Sequence, residues 1–238
     1  MNHFQRFNAL HRSGKLLLLP NIWDAAGARM LEALGYPAVA TASFAVARAH
    51  GYEDGEKIPF DKVCWLVSRI VASVGVPVTA DIEAGYARTL DGLRQNIRML
   101  VDTGASGINF EDSDPASQSL LSIEDQTARI RAIRAEAPEL YINARVDVYV
   151  RPCDNPLSEA LSRARAYLEA GASGIFPVGA VPLSDVGALV AGIAGPVNIS
   201  LGAHDLRELE RLGVARVSMG PGFQTRALDA MKNIALGL

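Results

Sequence analysis

The chain has 238 residues, 49% of them hydrophobic and 21% charged, the profile of a globular protein with a sizeable core rather than of a disordered or fibrous chain. Lys+Arg of 23 against Asp+Glu of 26 leave a formal charge of -3, without the basic excess that nucleic-acid backbone binding relies on, and no apolar run approaches the ~20 residues of a membrane-spanning helix. Cys64 and Cys153 form no Cys-x-x-Cys motif and Met1-Asn2-His3-Phe4 opens no signal segment, so the expectation is a cytoplasmic protein without disulfides or thiolate metal sites.

In chain order, apolar runs predict strands near 16–20, 38–42, 77–82, 107–111, 140–145, 173–178, 196–200 and 215–219. Helices are predicted between and after them, near 24–34, 60–74, 90–103, 122–137, 157–170, 184–193, 204–212 and 222–236. Four of these junctions share one pattern, an amphipathic run, then a glycine (Gly35, Gly104, Gly171, Gly213), then a short apolar run. Glycine ends a helix there because the left-handed C′ position costs it no steric clash. Helix starts are marked by Asn21 or Asp24, Pro59, Ser122 with Asp125 three residues on, and Pro156. The strands are continuously apolar rather than alternating, as when both faces are covered. Eight strand-helix units predict one (βα)8 barrel over residues 1–238. A doubly wound open sheet is the competitor, but no G-x-G-x-x-G follows an early strand.

In such a barrel the chemistry lies at the C-terminal strand ends. The third strand ends Asp81-Ile82-Glu83 and the fourth Phe110-Glu111-Asp112. Carboxylates two apart on an extended chain share a face, and several at one mouth repel unless a cation sits among them. An oxygen-only set suits Mg²⁺ or Mn²⁺, with Asp81 in direct contact and Glu83 and Glu111 direct or through water. The alternative is that these acids cap helix starts or pair with rim arginines. Asn143 and Arg145 share a face at the end of the fifth strand. Arg145 either holds a substrate carboxylate or phosphonate bidentately or forms a structural ion pair with Glu111 or Asp147. Small residues in the loop after the second strand let backbone N–H groups approach an anion, and Asp54 adds a carboxylate. His3, His11, His50 and His204 lack zinc-site spacing. Ser218-Met219-Gly220-Pro221-Gly222-Phe223 is either a phosphate cup or a tight turn.

From about Asn21 to Gly220 the chain resembles the isocitrate lyase and phosphoenolpyruvate mutase superfamily. The resemblance rests on Thr41-Ala42-Ser43-Phe44, Gly51-Tyr52-Glu53-Asp54, Asp81-Ile82-Glu83-Ala84-Gly85-Tyr86, Phe110-Glu111-Asp112 and Asn143-Ala144-Arg145. It implies a Mg²⁺-dependent enzyme that makes or breaks a carbon-carbon or phosphorus-carbon bond of a 2-oxo acid or related small carboxylate through an enolate. By position, Asp81, Glu83 and Glu111 resemble the metal-site carboxylates, Asp54 the site acid and Arg145 the substrate-binding arginine. Backbone groups of Ser43 and Phe44 fall where the family holds the substrate carboxylate.

Two departures bear on the reaction. Lyases of the family carry Lys-Lys-Cys-Gly-His in a loop after the fourth strand, whereas Ser113 to Leu121 here hold no Lys, Cys or His. Glu83 stands where Asp is commoner. The reading is therefore a carbon-carbon lyase or decarboxylase that needs only a weak or water-borne proton donor, with Tyr86 a candidate for that role. Phosphorus-carbon chemistry, of the mutase or phosphonopyruvate hydrolase kind, and a non-catalytic 2-oxo acid binder are the alternatives. A homo-oligomer is expected, with the last helix swapped between subunits or closing its own barrel.

Overall fold

The structure, a computed structural model, describes residues 1–238. Its strands are β1 (Leu17–Leu19), β2 (Asn21–Ile22), β3 (Val39–Thr41), β4 (Val78–Asp81), β5 (Gly107–Phe110), β6 (Tyr141–Val146), β7 (Gly174–Pro177), β8 (Asn198–Ser200) and β9 (Arg216–Ser218). The first two are halves of one barrel strand. Pro20 between them has no N–H to give to a ladder, and the chain changes partner there: Leu17–Leu19 pair with β9, Asn21 and Ile22 with β3. Parallel pairing then runs unbroken from β2 to β7, and β8 pairs with β9. A parallel bridge between Ile175 and Val197 joins β7 to β8. The eight predicted strands thus close into a barrel, and the open sheet is excluded.

Outside the strands lie α2 (Ala25–Ala33), α4 (Phe60–Val71), α5 (Leu90–Val101), α6 (Ile123–Glu136), α7 (Pro156–Glu169), α8 (Leu183–Gly192), α9 (Leu206–Arg211) and α10 (Gly222–Leu236). Each falls within three residues of its predicted ends. Their starts follow the local chemistry. The Asp24 carboxylate accepts the Gly27 N–H at 2.7 Å, and the Ser122 hydroxyl accepts the Asp125 N–H at 3.0 Å, each closing an otherwise orphaned donor. Asn21, the other candidate for the first cap, lies in β2 instead.

Two helices were not predicted. The first, α1 (His3–Leu10), begins at a capping box in which Asn2 and Gln5 satisfy each other's N–H groups. It plugs the N-terminal end of the barrel with Phe7, fully buried, whose ring lies 5.3 Å from that of Tyr141. Gly107 makes room for it, since a Cβ there would stand 2.7 Å from the Phe7 ring. The second, α3 (Ser43–Ala49), follows β3 directly.

Outward-facing strand residues such as Ile108, Phe110 and Ile142 pack against the helices in the main core, while Phe7, Leu17, Leu19, Ala38, Ala40 and Tyr141 form a small apolar cluster at the bottom of the barrel. Above them the interior is polar. Asn109, Asn143, Asn198, Arg216 and Ser218 are all buried. A polar layer between an apolar floor and the open mouth is what sets up the site. No helix is long and apolar enough to cross a membrane, and both cysteines are free thiols.

Candidate active site

Asp81 ends β4, where its N–H donates to the Thr41 hydroxyl at 2.9 Å and its Oδ1 accepts the Glu83 N–H at 3.1 Å. The chain then turns through Glu83, Gly85 and Tyr86, with φ of 50°, 90° and 56°. Left-handed backbone at two non-glycine residues is unfavourable unless the surroundings impose it, and here a reciprocal knot does so. Glu56, itself at φ 61°, donates its N–H to Glu83 Oε2 at 2.8 Å and accepts the Tyr86 N–H on Oε1 at 2.6 Å. The Tyr86 hydroxyl donates to Glu83 Oε1 at 2.7 Å. The knot ties the loop that carries Asp54 to the loop that follows β4.

Arg145, on β6, is clamped. It donates to both oxygens of Asp147, at 2.9 and 3.0 Å, and to Glu111 Oε2 at 2.7 Å. Burial disfavours its charge, but Asp147, Glu111 and Asp81 more than offset that and raise its pKa. Burial also pushes Glu111 up, against the pull of Arg145. Because the arginine stays charged and a bond of 2.7 Å is charge-assisted, the pair is an ion pair with Glu111 anionic. The structural pairing left open for Arg145 is therefore realised on both partners. Behind it Asp112 is fully enclosed by Arg163, the Tyr167 hydroxyl and the Asp147 N–H, which makes it a brace.

A cavity of about 420 Å³ opens at the C-terminal mouth, with Asp54, Asp81, Asn109, Arg145, Ser43 and Phe44 on one side. A separate hollow of about 290 Å³ beside Arg88, Asp114 and Arg129 lies outside the barrel mouth and holds none of these residues. Asp54 stands at the rim, open to solvent on one side and crowded by protein on the other. That crowding, and then the Asp81 charge, raise its pKa against the pull of Arg145. Burial, and after it Asp54 and Asp81, push Glu83 up to about 7 despite the Tyr86 hydroxyl and the Glu56 N–H.

The predicted residues thus divide. Asp54, Asp81, Arg145, Ser43 and Phe44 line the cavity. Glu83, with both carboxylate oxygens engaged, and Glu111, with Oε2 held by Arg145, sit behind it, and no three His, Cys, Asp or Glu side chains stand close enough to hold an ion among them. Tyr86 aims its hydroxyl at Glu83 and is not part of the cavity wall, so it is not placed to donate a proton there. Asn143 is buried below the mouth, its Nδ2 donating to Asn109 Oδ1 at 2.8 Å, and it is Asn109 that reaches the cavity. Asn109 lies on β5 two residues before Glu111, and the alternation that puts Asp81 and Glu83 on one face would, applied to this strand, also have pointed to it. The turn after β9 is no phosphate cup, because its Met219 and Gly220 N–H groups both donate to Asn21 Oδ1 at 2.9 Å.

The family model described as phosphoenolpyruvate phosphomutase matches residues 7–238. The chain belongs to the isocitrate lyase and phosphoenolpyruvate mutase superfamily. Among its relatives in this superfamily, an uncharacterised protein of Mycobacterium tuberculosis is 34% identical over 215 residues, 90% of this chain and 81% of that one. The oxaloacetate decarboxylase of Ectopseudomonas mendocina is 30% identical over 237 residues, 94% of this chain and 80% of the relative. A crystal structure from Burkholderia cenocepacia J2315, of a protein provisionally called a phosphonomutase, superposes with a TM-score of 0.94 at 37% identity and covers 98% of both chains. The barrel and the superfamily expected from the motifs are both confirmed.

Proposed function

We propose that this superfamily member is a lyase that cleaves a carbon-carbon bond of a 2-oxo acid or related small carboxylate, with Mg²⁺ or Mn²⁺ held at Asp81. The observation that carries the reading is the convergence of Asp81, Asp54 and a clamped Arg145 on one cavity at the barrel mouth. The donor set fits a hard divalent cation. Asp81 raises the pKa of Asp54, Glu83 and Glu111 alike, and this mutual repulsion is relieved by a cation. Mg²⁺ keeps several waters and needs only one or two carboxylates directly. Asp81 would hold it, with Asp54, Glu83 and Glu111 as the supporting carboxylates. When bound, the ion supplies Lewis acidity toward the 2-oxo and carboxylate oxygens.

The protein's own groups do the rest. Arg145, fixed in direction by Asp147 and Glu111, holds the substrate carboxylate. Ala42 gives α3 no side-chain cap, so the first N–H groups of that helix, those of Ser43 and Phe44, are available to the same carboxylate. Asn109, held by Asn143, orients the 2-oxo group. In a retro-aldol cleavage the 4-hydroxyl gives its proton to Asp54 and becomes the carbonyl of the leaving fragment, the electron pair of the breaking carbon-carbon bond stays on the carbon next to the 2-oxo group, and a proton from Asp54 or water then closes that carbon. In a decarboxylation the same carbon keeps the pair as carbon dioxide leaves. Self-association has its candidate face on α10, where Leu228, Met231, Ile234 and Leu236 are exposed.

A coupled assay for pyruvate-type products across oxaloacetate, isocitrate, 2-methylisocitrate, 4-hydroxy-2-oxo acids and phosphonopyruvate tests the reading. Turnover of a carbon-carbon substrate that chelator abolishes is the expected result. Binding without turnover of any of them would favour the non-catalytic binder instead.

A further inference from the structure

The cavity is electrically one-sided. Of its 19 lining residues the charged ones are Asp54, Asp81 and Arg145, all on the side where the 2-oxo carboxylate head is placed. The single cation among them already faces two carboxylates. The wall built from the ends of β7, β8 and β9, which starts at Phe176 beside Arg145 and runs round the mouth away from it, presents Phe176, Val178, Ala180, Leu201, Met219 and Pro221, together with the uncharged hydroxyls of Ser200 and Ser218. No Lys, Arg or His reaches that wall. Arg216 lies beneath it, wholly buried, donating to the Ser218 hydroxyl at 3.2 Å and to Asn109 Oδ1 at 3.3 Å, and it is not among the lining residues. Part of the backbone is engaged there: the Met219 and Gly220 N–H groups donate to Asn21 and those of Val178 and Leu201 to backbone carbonyls, which leaves only the neutral N–H groups of Gly179, Ala180 and Gly202 without a protein acceptor.

From this we infer that the group carried by the substrate beyond its 2-oxo carboxylate head is uncharged and apolar. The ligand class is that of 2-oxo monocarboxylates with a short alkyl substituent, and their aldol adducts, not di- or tricarboxylates and not phosphonates. The physical reason is that a second carboxylate or a phosphonate would leave water for a wall that offers it no cation and only neutral hydroxyl and backbone N–H donors, a cost an alkyl group does not meet. An alkyl group instead gains from covering Phe176, Leu201 and Met219. The inference rests on the functional reading above for where the head sits, and adds what lies beyond it.

Three ligands that share a head and differ in the terminal group decide it: 4-methyl-2-oxopentanoate, oxaloacetate and phosphonopyruvate. Each is tested for displacement of labelled oxalate, a bare head group, from the whole protein with Mg²⁺. The branched acid is expected to displace at a concentration about tenfold or more below the other two. Equal or better displacement by oxaloacetate or phosphonopyruvate overturns the inference and leaves the functional reading standing. Failure of oxalate to bind in a chelator-sensitive way overturns the functional reading, and this inference with it. Ala180→Arg supplies the missing cation at an exposed lining position. It is expected to tighten phosphonopyruvate binding by about tenfold while weakening the branched acid. Unchanged relative affinities in that variant would mean that the substituent does not meet this wall.

Discussion

The Tyr86 hydroxyl donates to Glu83 Oε1 at 2.7 Å, and the two residues share left-handed backbone three positions apart on the loop after β4. Glu83 thereby becomes a strut between two loops. Tyr86→Phe deletes one of its bonds and leaves a buried carboxylate oxygen short of a partner, for a loss of about 1–3 kcal/mol in urea unfolding. Turnover should survive, because Tyr86 does not reach the cavity. A fall of about 100-fold or more in kcat, the size of a general acid's contribution, would restore it as the proton donor.

Asp81 makes the opposite case. It is half-buried, and the one bond its side chain accepts is from the Glu83 N–H. Asp81→Ala should leave the melting temperature close to that of the wild type. Removing an outer partner of a metal ligand typically costs 10–100-fold in affinity, so loss of the ligand itself should weaken Mg²⁺-dependent oxalate binding by about 100-fold or more. Titration calorimetry with and without Mg²⁺ reads both terms, and unchanged binding would remove Asp81 from the metal site.

The sequence carried the barrel because its signals are local: a glycine where four of the helices end, a cap or a proline where several begin, and an apolar run for each strand. It carried the mouth because strand alternation fixes which side chains point inward. What it could not carry was which of several inward acids would find a partner first. Glu83 and Glu111 lie on the expected faces, yet both oxygens of Glu83 are taken by Glu56 and Tyr86 and one oxygen of Glu111 by Arg145, through contacts between segments distant in sequence. The apolar wall has the same origin, since Phe176, Leu201 and Met219 come from three separate strand ends. The α1 plug was missed for a different reason. Its capping box at Asn2 and Gln5 is a usable signal, but only one of its residues, Phe7, is buried, too few for a helical stripe to stand out.

His11, on the turn that ends α1, gives a pH dependence of stability. Its Nδ1–H donates to the Phe7 carbonyl at 2.8 Å and its ring stacks on Tyr141 at 3.9 Å. Burial, and then the Arg216 charge, lower its pKa from 6.5 to about 3. The unfolded chain therefore binds a proton between those values that the folded chain refuses. Stability should be level with respect to this group above pH 6.5 and fall as pH drops toward 3, with a slope approaching ~1.4 kcal/mol per pH unit. Urea midpoints at several pH values check this, and His11→Leu should flatten the acid limb. An equal slope in that variant would place the acid sensitivity elsewhere.

Arg145→Lys tests whether the clamp matters as geometry or only as charge. The guanidinium serves Asp147 with two parallel bonds and Glu111 with a third, and it still borders the cavity. An ammonium is a compact charge on a flexible stem, so it can satisfy one of these acids but cannot fix a planar fork toward a carboxylate. Hydrogen bonds to charged groups are worth about 1.5–3 kcal/mol each, and losing the one to the substrate should weaken oxalate and raise KM by roughly 10–150-fold. The fold should survive, because positive charge remains beside Asp147 and Glu111. If Arg145→Lys kept the wild-type KM, the arginine would be a brace for the barrel mouth, and the carboxylate would have to be held by the start of α3 and the metal alone.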